Sequence, residues 1–369
     1  MNLKVPDTPV VVVDLDKLET NIREMAEFAR EAGVSLRPHI KSHKTVEIAR
    51  KQMAAGAVGV TVAKLGEAEV MVEAGITDIL IAYQVVGEAK LRRLMDLMGR
   101  ATITVAVDTL PGARMLAEAA RGRGRHVPVV VEVNSGLDRC GVLPGEETLR
   151  LVRQLLELPE LIFKGLMTHA GQAYGASSPR QVAEIGRHEG EVMVATAGLL
   201  RKSGIPVETV SVGSTPTVKF SGRIKGVTEI RPGNYVFYDA IQHGLGVAPL
   251  ERCALSVLAT VISRPAPGRA VIDAGSKTFA LDKGAHGTAV VQGFGVVKGL
   301  PGWQLTRLSE EHGILEDAAK MEREPEVGEV LDIIPNHACP VVNLTDRVLV
   351  VRSGKAVDEW RVAARGRVR

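Results

Sequence analysis

Eight short apolar runs, each leading into an amphipathic helical stretch, succeed one another over residues 35–231 and leave this chain few folds to choose from. The runs fall at 35–37, 58–62, 79–82, 103–107, 129–133, 163–168, 209–212 and 228–231. Strands alternating with helices make parallel sheets through right-handed crossovers. Eight such units over roughly 200 residues predict a closed (β/α)8 TIM-type barrel with its chemistry at the C-terminal ends of the strands. Ahead of them, the β-branched run 10–13 leads into a helix with Leu18, Ile22, Met25, Ala26 and Ala29 on one face. Asp16 is its expected N-cap and Gly33 its stop.

Beyond about residue 248 the helical period disappears, and 254–262, 270–273, 289–297, 330–334 and 348–351 read as antiparallel strands punctuated by Pro265, Pro267, Gly268 and Pro301. The expected organisation is a barrel over 15–247 followed by a mostly antiparallel β domain over 248–369, which the strand within 1–14 rejoins. A length of 369 residues accommodates both.

The 46 Lys and Arg against 43 Asp and Glu leave a formal charge of +3, too small and too dispersed for a nucleic-acid partner. Arg121, Arg123 and Arg125 read as a solvated turn. No apolar run approaches the roughly 20 residues that span a bilayer, so no membrane partner is expected. Cys140, Cys253 and Cys339 lie far apart, and the first nine residues contain neither a charged nor an apolar leader region. A cytoplasmic enzyme without a disulfide framework is expected.

Arg-Pro-His-Ile-Lys-Ser-His-Lys, residues 37–44, follows directly on the first barrel strand and sets Lys41 where barrel active sites lie. A buried lysine with a lowered pKa is nucleophilic and can hold an aldehyde cofactor covalently. Taken alone, the octet is equally a solvent-facing basic turn. Read with residues 54–64 and with Glu67 and Glu69, it resembles the D-serine dehydratase and D-threonine aldolase family, and the resemblance covers nearly the whole chain. That family belongs to the alanine-racemase-like, fold type III enzymes of pyridoxal 5'-phosphate. The resemblance implies that Lys41 carries the cofactor.

The turn after the seventh strand, with Gly213, Ser214 and Thr215, supplies hydroxyls and backbone N–H groups suited to a phosphate, although a plain helix cap has the same composition. The segment 231–239 ends the eighth strand, the other customary phosphate corner. By the resemblance, Tyr235 within it reaches the phosphate; the alternative is a core tyrosine. Residues 135–142 resemble the motif whose arginine, here Arg139, bonds to the cofactor ring, with a structural salt bridge as the alternative. Cys140 reads as a small buried residue rather than a nucleophile.

His337 and Cys339, one residue apart in an extended segment, point to the same side and could grip one ion. Nitrogen plus soft sulfur favours zinc, with manganese or magnesium open. A structural His-X-Cys is the competing reading. The resemblance implies a divalent metal here that binds the β-oxygen of the substrate. Family aldolases usually carry His-X-Asp and the dehydratases His-X-Cys, the pair present in this chain. At the end of the sixth strand the aldolases have a catalytic histidine where this sequence has Ala170, while His169 and Tyr174 match the dehydratase pattern.

The reading is therefore a lyase that dehydrates a D-β-hydroxy amino acid such as D-serine or D-threonine to a 2-oxo acid and ammonia. The catalytic residues are Lys41, His169 and Tyr174. Aldol cleavage to glycine and an aldehyde is the alternative in the same fold, and a non-catalytic carrier of the cofactor is the alternative of another class. Racemisation is disfavoured because all four tyrosines precede residue 248. A homodimer is the expected assembly, since active sites of this fold class lie near a dimer interface.

Overall fold

The computed structural model describes residues 7–283, 290–318 and 323–369. Strand β1 (Val10–Asp14) opens the chain. The barrel strands are β2 (Ser35–Leu36), β3 (Val60–Val62), β4 (Asp78–Gln84), β5 (Thr102–Val107), β6 (Val127–Glu132), β7 (Leu161–Met167), β8 (Thr209–Val212) and β9 (Glu229–Ile230). They are parallel, in the order β2-β9-β8-β7-β6-β5-β4-β3. Between β2 and β3 the Val58 N–H donates to Leu36 O at 2.9 Å and the Thr61 N–H to Pro38 O at 2.8 Å, closing the ring. Its strands are buried on both faces, which is why they read as continuous apolar runs.

One close approach depends on glycine. At Gly165 in β7, φ is +149° and a Cβ would overlap the backbone of Thr209 on β8. The β7–β8 pairing, and with it the position of the loop after β8, therefore requires a residue without a side chain.

The second sheet comprises β10 (Leu255–Ala266), β11 (Arg269–Ile272), β12 (Gly295–Val297), β13 (Trp303–Leu308), β14 (Gly313–Asp317), β15 (Val330–Pro335), β16 (Arg347–Arg352) and β17 (Lys355–Arg361). β1 lies between β10, antiparallel to it, and β16, parallel to it. β10 also pairs with β11, closing six of the strands into a small barrel. Two expectations need correction. Asp16 does not cap the first helix, Leu15–Ala32; Asp14 does, accepting from the Lys17 N–H, while Gly33 ends it at φ 69° as expected. The run 289–297 is strand only over Gly295–Val297; residue 289 lies outside the described residues.

The three cysteines are free. Arg121 pairs with Glu160 and Arg123 with Asp96 at the surface, while Arg125 donates to Met98 O. No described helix is long and apolar enough to cross a membrane.

Candidate active site

A cavity of about 530 Å³ opens at the C-terminal ends of the barrel strands and is walled on one side by the second sheet. Lys41 sits in it on the single turn Ile40–Ser42, beyond β2. Burial lowers the pKa of its amine; Cys339 partly offsets this, and Arg139 adds to it. A lowered pKa makes the neutral, nucleophilic form of the amine easier to reach.

His169, at the end of β7, faces the same cavity, and its Nδ1 lies 3.3 Å from Gly213 O. Burial, then Lys41 and Arg139, hold its pKa well below the ordinary value. It is neutral, and with Nδ1 as donor to the carbonyl its tautomer is fixed. Burial raises the pKa of the Tyr174 phenol, and Gln242 and Thr215 offset this in part. Arg139 is half exposed at the rim, 3.8 Å from Glu132. Cys140 donates to Glu132 Oε1 at 3.2 Å, and burial raises its pKa, so it stays a thiol.

Gly213, Ser214 and Thr215 line the cavity. Two of the backbone N–H groups expected to face a phosphate are turned inward, however. Gly213 N–H donates to Glu189 Oε1 at 2.8 Å and Ser214 N–H to Thr217 Oγ1 at 3.2 Å. Tyr235 is a second correction. Its hydroxyl accepts from Gln52 Nε2 at 2.9 Å in the fully buried interior, away from the lining; only its backbone N–H serves the site, donating to Thr215 Oγ1 at 3.1 Å. A core tyrosine makes this contact because Gln52 offers a donor that solvent cannot supply there.

His337 and Cys339 reach the cavity from the end of β15, but not in the extended segment expected: His337 is the N-cap, and Cys339 lies in the first turn, of the helix Ala338–Leu344. Asp282 holds His337 Nδ1 at 2.6 Å, which leaves Nε2 available. Burial lowers the imidazole, but Cys339 and Asp282 raise it well above its ordinary value; burial raises the thiol, but His337 and Ser42 bring it below. Among the described residues no third His, Cys, Asp or Glu joins the pair. A carboxylate on the far nitrogen of an imidazole, with a thiolate beside it, suits a metal whose other positions are open.

Several lining residues received no role of their own in the sequence reading, although Arg231 and Asn234 lie in the phosphate corner it singled out. Arg231, buried in the wall, donates to Ser211 Oγ and Thr168 O, and Ser211 in turn donates to Glu229 Oε1 at 2.6 Å. Glu132 accepts from Gln84 Nε2 at 2.6 Å. Asn234 has a buried Oδ1 without a partner. Charged residues inside or just after apolar strands, Glu132, Glu229 and Arg231, were the available signal. The volume, the reactive lysine, the hydroxyl-rich turn and the buried cation fit an aldehyde cofactor with a phosphate.

Residues 13–240 match the alanine racemase N-terminal domain and residues 254–351 a putative serine dehydratase domain. The chain is 37% identical to a D-threonine aldolase of an Arthrobacter species, over 98% of this chain and 93% of that one. It is 38% identical to a D-threo-3-hydroxyaspartate dehydratase of a Delftia species, over 90% and 91%. Among solved structures, the D-threonine aldolase of Filomicrobium marinum superposes with a TM-score of 0.89 at 38% identity, over 98% of this chain and 97% of that one. Two variants of a D-threo-3-hydroxyaspartate dehydratase superpose with TM-scores of 0.90 at 36% identity, over 96% of this chain and 94% and 97% of theirs. One has a histidine replaced by alanine; the other, metal-free, has a cysteine two positions later replaced by alanine.

Proposed function

Because the chain belongs to the D-serine dehydratase and D-threonine aldolase family of pyridoxal-phosphate-dependent lyases acting on D-β-hydroxy amino acids, we propose that it dehydrates its substrate to a 2-oxo acid and ammonia. One observation carries the choice of reaction. His337 and Cys339 share a cavity with Lys41, whereas residue 170 is an alanine with no exposed surface and no group to take a hydroxyl proton. Overall identity does not separate the two reactions, being 37% to an aldolase and 38% to a dehydratase. The His-then-Cys spacing of the substituted residues in the dehydratase variants supports the metal reading.

Bound pyridoxal phosphate supplies the electron sink for cleavage at Cα. Lys41 tethers it, and the Lys41 amine, kept below its ordinary pKa, takes the α-proton. Gly213, Ser214 and Thr215 would hold the phosphate, and Arg139 and the buried Arg231, which line the same cavity, would tune the ring. His169 and Tyr174 line the cavity beside Lys41 and would face the substrate. His337 and Cys339 would hold a divalent metal, zinc by the softness of its donors, which supplies Lewis acidity at the β-oxygen. Hydroxide leaves Cβ, and the unsaturated amine that remains takes up water to give the 2-oxo acid and ammonia.

We read the chain as two units, 15–247 for the cofactor and 248–369 with the strand at 10–14 for the metal, working as a cytoplasmic homodimer on a small D-amino acid. Product analysis tests the proposal. D-Serine should give pyruvate and ammonia and D-threonine 2-oxobutyrate and ammonia, with D-threo-3-hydroxyaspartate tried beside them and the L-enantiomers inert. Stoichiometric glycine and acetaldehyde from D-threonine, without ammonia, would establish aldol cleavage instead.

A further inference from the structure

One of the ties between the barrel and the second domain is a buried carboxylate. Asp239, in the loop after β9, is 1% exposed and receives three donors. Its Oδ1 accepts the Gln242 N–H at 3.0 Å and so caps the helix Ala240–Gly244. Its Oδ2 accepts Asn234 Nδ2 at 2.6 Å and the Ala338 N–H at 3.0 Å. Ala338 is the residue between His337 and Cys339.

A second tie runs alongside, from the Ile241 N–H to Asn336 O at 3.2 Å. The Asn234 amide also reaches toward Cys339 Sγ, at 3.7 Å. Two ligands separated by one residue meet an ion only if the intervening peptide is turned to bring both side chains to one point. That peptide is held by a barrel residue, not by its own sheet.

We infer that Asp239 is a positioning residue: it orients the Ala338 peptide so that His337 and Cys339 converge over the Lys41 cavity, and it orients the Asn234 amide that lines the same wall. The inference rests on the metal reading proposed above. Asp239 touches neither cofactor nor substrate in this account, so its replacement should act on the metal alone. Partners behind a metal's ligands matter because they fix ligand direction, and losing one typically weakens metal binding about 10- to 100-fold.

The decisive variant is Asp239→Asn. Its remaining oxygen can still cap Gln242, while an NH2 group now opposes two donors, the Ala338 N–H and Asn234 Nδ2. Zn2+ affinity is measured on cofactor-loaded protein by competition with a chromophoric chelator, in the parent, His337→Ala and Asp239→Asn. The expected result is loss of the site in His337→Ala and about 10- to 100-fold weaker Zn2+ binding in Asp239→Asn. The cofactor absorbance of the metal-free protein should stay close to the parent's in Asp239→Asn, while its melting temperature should fall by several degrees, because two buried donors lose their acceptor. If this variant does not accumulate folded, Asp239→Ser, which also keeps a capping oxygen, gives the same comparison. Unchanged Zn2+ affinity in the Asp239 variant, with the site lost in His337→Ala, would overturn the inference alone. Equal affinity in the parent and His337→Ala would overturn the metal reading and the inference with it. A fall of the cofactor band together with metal affinity would mark Asp239 as merely structural and also overturn the inference.

Discussion

Glu189 offers the most demanding test of how the cofactor turn is built. It lies on the helix Pro179–Lys202, has no exposed surface, and reaches under the loop that follows β8. Oε1 accepts the Gly213 N–H and Oε2 the Thr217 hydroxyl, each at 2.8 Å. Burial raises its pKa, and these same hydrogen bonds pull it back. In Glu189→Ala the Gly213 N–H is left buried without an acceptor, which costs about 1–3 kcal/mol. The Thr217 hydroxyl is partly rescued, because Ser214 O is 3.4 Å away. With the cavity left by the side chain, the loss should come to about 3 kcal/mol. At about 2–4 °C per kcal/mol for a unit of 150–250 residues, the melting temperature of the cofactor-free protein should fall by about 6–12 °C.

Glu189→Gln separates this account from a packing effect. The amide keeps an oxygen for Gly213 and offers an N–H to Thr217 Oγ1, which can turn round to accept. Its cost should be about 1 kcal/mol, or about 2–4 °C. Both variants are followed by circular dichroism on heating, and the rate of cofactor loss is measured by gel filtration at intervals. Only the alanine variant should shed cofactor faster, since Gly213 and Ser214 line the cavity. Equal melting temperatures for the two variants would refute the reasoning, because the Gly213 N–H would then not depend on Glu189.

Two further expectations follow. Borohydride treatment of the holoenzyme should fix the cofactor on Lys41, and Lys41→Ala should lack the visible band; a reduced adduct on Lys44, whose amine is 3.4 Å from Glu67, would remove Lys41 from its role. His43 is fully buried, lies 3.2 Å from Gln52 Oε1, accepts from the Thr45 N–H, and is pushed by burial down to about 4. Its folded pKa is below the unfolded value, so the stability tied to the neutral ring is complete above about pH 6.5 and is lost as pH falls through about 4. The shift corresponds to about 3 kcal/mol. His43→Asn, which keeps an acceptor for Thr45, should flatten the fall in urea midpoint between pH 7 and 4.5; an undiminished fall would place the acid sensitivity elsewhere.

The barrel was legible because parallel strands covered on both faces must be largely apolar, and 79–81, 105–107 and 129–131 are wholly so. The strands that escaped notice, Trp303–Leu308, Gly313–Asp317 and Lys355–Arg361, carry charges and have few buried positions; in the last only Trp360 is buried. They belong to the sheet through pairing with neighbours, and a single run of sequence does not display pairing. The cap of the first helix was expected two residues too late because Asp14 and Asp16 both precede apolar positions, and only the chain's exit from β1 decides between them.

The site divides in the same way. Lys41, His169 and Arg139 line one cavity because each stands past the C-terminal end of a barrel strand, a placement visible in the strand pattern. Tyr235 stands there too, yet its ring turns to Gln52, 183 residues earlier in the chain, a partner that no local pattern announces. His337 and Cys339 form a local pair, but what orients them is not local: Asp282 is 55 residues away and Asp239 is 99 residues from Ala338. A ligand pair can therefore be recognised from three consecutive residues, while its geometry is set by carboxylates from elsewhere in the chain. Two proteins with the same His-X-Cys can differ in metal affinity through those partners alone, so an assignment of reaction from the pair is only as good as the contacts that hold its peptide in place.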